Sequence, residues 1–293
     1  MFKMKLLAGV AAVAMSGAAS AGIVGSSTGN TELVFTAYVG DVGYTYDLAD
    51  AGFNSVFGTN VRINSLIGSG NQTQYNSESG ALTGAQLIAT KSYLTNNFST
   101  GVIFDAELTG FDSFLSQAGN TSGVLWNVWS GESSGVRRII QTVSSAPAER
   151  VKTDAINSAV QAFGFYTDAN SQGGTHNNLD TTVDGYRVTT VEDLVAFAGN
   201  VGPRLNGAYN SFGSIGDTLD MYVVRGATST STQFLGGVAQ LLGATDQAVT
   251  SMVYVGDQGE YRLQISAVPE PETYAMLLAG LGLIGFAARR RRA

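Results

Sequence analysis

The segment Gly131-Glu132-Ser133-Ser134-Gly135 has the G-x-S-x-G spacing of a nucleophile elbow, in which a tight turn lifts a serine hydroxyl above a sheet. Asp168 and His176 follow in the Ser–Asp–His order of one class of acyl-transfer triads. The elbow needs a helix directly after the turn to present the serine. Here the run from Val136 to Val143 follows, and its β-branched residues predict a strand. Asp168 and His176 share one polar stretch, without the strands that separate such partners. With 37 glycines in 293 residues, a chance match of this pattern is expected. The motif reads as a serine-rich hairpin turn, with a hydrolase as the alternative.

Oxygen ligands cluster at Asn177, Asn178, Asp180 and Asp184. Calcium outside a cell would suit them, but the alternate-residue spacing and closing glutamate of an EF-hand are missing. A solvated Asx-rich loop is the competing reading. Asp41, Asp47 and Asp50 form a weaker set. Histidine occurs once and cysteine not at all, so no multi-histidine or thiolate metal site can be built, and no cofactor is called for. Trp126 and Trp129 invite a sugar-stacking reading. On a strand their odd separation sends them to opposite faces, which predicts one in the core and Trp129, beside the turn, at the surface. Glu192 and Asp193 read as helix-dipole charges behind a Thr190 cap, not as a catalytic pair.

The elements that must position these residues form an α+β pattern: a single domain of mostly antiparallel sheet with a few helices, or else a β-sandwich with helical insertions. Strands are predicted over Glu32–Val39 and Tyr44–Leu48, joined by a hairpin at Gly40–Gly43. Others fall at Gly101–Leu108, Val124–Trp129, Val136–Val143, Met221–Arg225, Ser251–Val255 and Glu260–Ser266, with a possible strand in VRINSLI. The clearest helix follows Ser144 or Ser145 as cap, with Pro147 in its first turn. Val151, Ala155, Ile156, Ala159, Val160 and Phe163 lie on one half of its wheel. A shorter helix is expected over Val191–Ala198.

The two ends carry the clearest information. MFKMKLLAGVAAVAMSGAASAG has a positive start at Lys3 and Lys5, a ten-residue apolar run and the small pair Ala19 and Ala21 around a cleavage site. Residues 1–21 therefore read as an export signal peptide. At the other end, Tyr274–Ala288 is an uncharged, mainly apolar run of 15 residues followed by Arg289, Arg290, Arg291 and Arg292. A helix of that length reaches about 22 Å, short of a ~30 Å hydrocarbon core, a gap that snorkelling arginines and local thinning can close. Its lack of a polar face disfavours a core helix. The arginines would stop translocation and keep the terminus cytoplasmic. A G-x-G-x-x-G match at Gly280–Gly285 has no strand before it and no acid after it, so it does not signal a dinucleotide site.

With Pro269, Glu270 and Pro271 before the apolar run, the tail resembles the PEP-CTERM sorting signal of Gram-negative bacteria. The resemblance covers residues 268–293. It implies recognition by exosortase, a membrane-embedded cysteine protease, with processing near Pro-Glu-Pro. It further implies delivery to the cell surface, often in organisms that make exopolysaccharide. Prolines at 269 and 271 would keep the chain extended and open to a protease.

Residues 22–267 then form the exported body. Between Gly22 and Val268 there are 10 basic and 21 acidic residues, a balance that repels phosphate backbones and argues against nucleic acid as a partner. The expected protein is a non-enzymatic surface or matrix-associated one, held at the inner membrane before processing and meeting exopolysaccharide afterwards. A secreted hydrolase or a calcium- or glycan-binding module is the alternative.

Overall fold

The computed structural model describes Ile23, residues 31–48, Ile63, and residues 101–133, 137–145, 150–170, 185–201, 211–226, 235–241 and 247–267. Its strands are β1 (Val34–Val39), β2 (Val42–Asp47), β3 (Gly101–Glu107), β4 (Leu125–Glu132), β5 (Arg138–Val143) and β6 (Arg150–Lys152). They continue with β7 (Tyr186–Thr190), β8 (Gly213–Ser214), β9 (Thr218–Arg225), β10 (Leu235–Gln240), β11 (Val249–Val255) and β12 (Tyr261–Ala267). Among the described residues every pairing is antiparallel. The main path runs β3-β12-β11-β9-β5-β4-β1-β2-β7, with β10 pairing β6 and β9, and β8 pairing β4. One sheet curled into a half-barrel results, in place of two stacked sheets.

Period-two alternation explains both faces. Along β1, Phe35, Ala37 and Val39 point to the inner core, while Val34 joins the outer one. The helix α1 (Phe111–Ala118) supplies Phe111, Phe114 and Leu115, which share one of its faces at i, i+3 and i+4. Phe111 touches Tyr44 of β2 at 5.1 Å and Tyr261 of β12 at 5.0 Å between ring centroids. Those strands lie near opposite ends of the strand order, so α1 fills the gap of the half-barrel. The turn into α1 depends on Gly110. Its φ is +76°, and a Cβ there would stand 2.2 Å from the Tyr186 ring.

The second helix, α2 (Thr153–Asn170), covers the outer face. Ile156, Ala159, Val160 and Phe163 are buried against it, as the periodicity predicts. Its start differs from the expectation. Ser144 and Ser145 do not cap it, and Val151 belongs to β6, which pairs with β10 through Val151↔Gly236. A β-branched residue at a buried position suits either element, and the available strand partner decides. Gly236 lies so close beneath α2 that a Cβ would stand 2.5 Å from Ile156 Cδ1.

Further departures are local. Ile63 of VRINSLI is helical and buried, not in a strand. The segment over Val191–Ala196 is a 3-10 turn broken at Leu194, where φ is +52°, instead of an α-helix. Local pattern does not announce the short strands β6, β7, β8 and β10 or the helix α1. Among the described residues no helix is long and apolar enough to cross a membrane.

Candidate functional site

Three constellations gather the polar chemistry of the described body. The first lies on the outer face of β3, β12 and β11, beyond the cover of α2. Asp105 accepts hydrogen bonds from Tyr254 Oη at 2.7 Å, Arg262 Nε at 2.8 Å and Gln264 Nε2 at 2.9 Å. Register builds this set: Gln264 is directly opposite Asp105, and Arg262 directly opposite Tyr254. Partial burial works against the charged carboxylate, but the three donors outweigh it and hold Asp105 below the ordinary aspartate range. Burial and the bond to Asp105 raise the Tyr254 hydroxyl, and the same carboxylate raises Arg262. Arg262 also reaches Glu260 at 3.4 Å. The group is a planar, self-satisfied polar patch.

The second constellation is internal. Glu132, Arg138 and Arg225 stand side by side across β4, β5 and β9, all buried. Arg138 Nε donates to Glu132 Oε2 at 2.8 Å, and Arg138 Nη2 contacts the same oxygen. Burial pushes the Glu132 carboxyl up, against the pull of Arg138 and Arg225. Burial likewise lowers Arg138, against the carboxylate. This is a buried seam within the sheet in which Glu132 and Arg138 form an ion pair.

The third is a surface depression of about 430 Å³ at the end of α2, lined by Phe165, Asp168, Arg187, Asp193 and Leu194 among others. Arg187 bridges Asp193 at 3.0 Å and donates to the Ala169 carbonyl at 2.9 Å. Asp193 also accepts from the Thr190 backbone N–H at 2.7 Å. Thr190 thus stands at the N-cap of the broken 3-10 turn, and the Asp193 carboxylate is taken up by Thr190 and Arg187. Phe165 and Leu194 are the exposed apolar members, at 61% and 69%.

The serine motif lacks the helix that a nucleophile elbow needs. Ser133 follows β4, and the chain returns as β5, so a hairpin stands where an elbow needs a helix. Asp168 lies near the end of α2 and lines the Arg187 depression. His176 lies outside the described residues, as do Asn177, Asn178, Asp180, Asp184 and Asp50. Asp41 is exposed in the turn before β2, whereas Asp47 is buried at the strand's far end, so these two form no ligand set. Among the described residues no group of three His, Cys, Asp or Glu could hold a metal ion.

The tryptophans do point to opposite faces, as their spacing predicts. Trp129 is nevertheless buried, at 1% exposure, which corrects its expected surface position. It packs edge-on against Phe163 at 4.7 Å beneath α2, because the helix closes over this end of β4. Trp126 stacks on Phe35 at 5.9 Å in the inner core and donates its Nε1–H to the Ser214 carbonyl at 2.8 Å. Sequence reading passed over Asp105, Tyr254, Arg262 and Gln264. Alternation in YRLQISA places Arg262 and Gln264 on one face, but only the ladder brings Asp105 to them.

Ala19, Ala21, Pro269, Glu270, Pro271 and Arg289 to Arg292 lie outside the described residues. No curated protein and no solved structure matches the chain. A family model does match its end, beginning at Ala267, the last residue of β12, and spanning Pro269–Pro271 and the arginine run. Residues 267–292 match the PEP-CTERM protein-sorting motif, which indicates exosortase-dependent sorting to the cell envelope or surface.

Proposed function

We propose that residues 22–267 are a single-domain, non-enzymatic body that works at the cell surface or in the extracellular matrix, with exopolysaccharide as its partner. The precursor is held at the inner membrane by the tail until an exosortase acts near Pro269–Pro271. One observation supports the non-enzymatic reading: the carboxylates of Asp105 and Glu132 are spent on cross-strand pairing. Asp105 satisfies three donors on neighbouring strands, and Glu132 is locked to Arg138 inside the sheet. Neither arrangement leaves a carboxylate open to a substrate.

Fractionation with intact-mass measurement of the wild type and of a Pro269→Ala/Pro271→Ala variant tests the sorting half. The wild type should lose its tail and leave the inner membrane, while the variant stays full length and membrane-held. Identical full-length, membrane-held outcomes would sink the proposal. Co-sedimentation of the 22–267 body with exopolysaccharide tests the matrix half, and no retention above a control protein would remove that partner.

A further inference from the structure

The sorting motif starts where the sheet stops. The family match begins at Ala267, and Ala267 is also the last residue of β12. Strand β12 pairs with β11 along its whole length, and with β3 from Arg262 onward. The register shift between Ile265 and Ser266 is absorbed, and the ladder closes with Ala267 between Val249 and Gly101. Ile265, Ser266 and Ala267 are all buried, and Ile265 and Ala267 belong to the inner core. The body is therefore locked, on both sides of the chain, up to the first residue of the motif.

Processing breaks one backbone C–N bond beyond that point. The protease's cysteine sulfur adds to the carbonyl carbon, the downstream nitrogen takes a proton and leaves with the tail, and water then releases the body as a carboxylic acid. Seven bonds join Ala267 to Tyr274, where the apolar run begins. The protease has to bring its own walls alongside the bond that it cuts, and next to Ala267 those places are taken by β11 and β3. A layer of packed protein is about 10 Å thick, the reach of roughly three extended residues. The bonds up to Pro269–Glu270 fall inside that margin. The Glu270–Pro271 bond stands at its edge, and its nitrogen is held in the Pro271 ring, with no N–H and a fixed φ. At the far end, the run from Tyr274 is withdrawn from the water that the last step consumes.

We infer that the scissile bond is Pro271–Glu272, Glu272–Thr273 or Thr273–Tyr274, so that the released body keeps the whole Pro-Glu-Pro triplet. This rests on the reading of the tail as an exosortase substrate, with β12 folded when the tail is cut. The full chain would be expressed in a cell that exports and processes it, and the released protein digested with trypsin. Arg262 is the last basic residue before the arginine run, so the C-terminal peptide starts at Leu263 and reads the cut directly. Tandem mass spectrometry should find it ending at Pro271, Glu272 or Thr273. An end between Ala267 and Glu270, or past Thr273, would overturn the inference and leave the sorting reading intact. A chain that is never cut would overturn the sorting reading itself.

Two spacer variants test whether the sheet edge sets the site. Deleting Val268 draws the motif about 3.4 Å toward the sheet and should slow release in a pulse–chase at least about threefold. Replacing Val268 with Gly-Ser-Gly-Ser restores the distance without the valine, and should return the wild-type rate with the cut at the same bond. Unchanged release after the deletion, or no recovery with the longer spacer, would overturn the role of the sheet edge. Both changes lie outside β12, and near-UV circular dichroism of the released body checks that its fold is kept.

Discussion

Trp126 and Trp129, three residues apart on β4, fill the two opposite faces of one sheet: Trp126 stacks on Phe35 inside the half-barrel, and Trp129 packs under Phe163 of α2. One strand thus anchors both cores. Trp126→Ala and Trp129→Ala should each cost about 3–5 kcal/mol in urea unfolding, since each empties a fully buried aromatic site. Costs below 1 kcal/mol for either would contradict this packing. Intrinsic fluorescence of the folded protein should be blue-shifted and unchanged by added oligosaccharide.

Removing one partner of the internal ion pair should be worse than removing both. Glu132→Gln leaves the Arg138 guanidinium buried without its carboxylate, a loss of about 3–5 kcal/mol. The double variant Glu132→Leu/Arg138→Met should recover much of that loss. A double-mutant cycle with strictly additive losses would show that the two side chains do not act as a pair.

Asp105 should make the protein acid-sensitive. Its folded pKa lies below the unfolded value, so the folded state binds the proton less readily. The stabilisation is complete above the ordinary aspartate range, near pH 4, and is lost as pH falls through the lower folded value. Asp105→Asn should flatten the thermal-stability profile below about pH 4.5, and it should also loosen Arg262. An unchanged acid limb would assign the sensitivity to other carboxylates.

Gly110 should tolerate no side chain. Gly110→Ala must adopt φ near +76° and displace the Tyr186 ring, at a cost of more than about 2 kcal/mol. Thermal unfolding reads this directly, and a Tm within a degree of wild type would refute the close approach.

Leu194 is the converse case. It holds a positive φ with its side chain 69% exposed, so it carries backbone strain with little packing in return. Leu194→Gly should raise stability by about 0.5–1 kcal/mol, the relief outweighing the extra freedom of the unfolded chain. Destabilisation by that variant would mean that the leucine is packed.

How far the sequence speaks depends on the range of the interaction. Runs such as VFTAYV and YRLQISA announce their strands because alternation is written into neighbouring residues. FDSFLSQA does not announce α1, since eight residues led in by Gly110, with no side-chain cap, give a weak local signal. Val151 fits a helical stripe as well as a strand, and only its partner Gly236 resolves the matter.

The sequence by itself determined the destination of the protein: charge, apolar length and the prolines of the tail act locally and need no fold to be read. It also determined that Trp126 and Trp129 face opposite ways. The tertiary structure alone decided that both are buried, and that Asp105 meets Tyr254 and Arg262 from about 150 residues away. These depend on strand register and on the curl of the sheet. Both are set by burial between residues distant in sequence, and no local pattern encodes them.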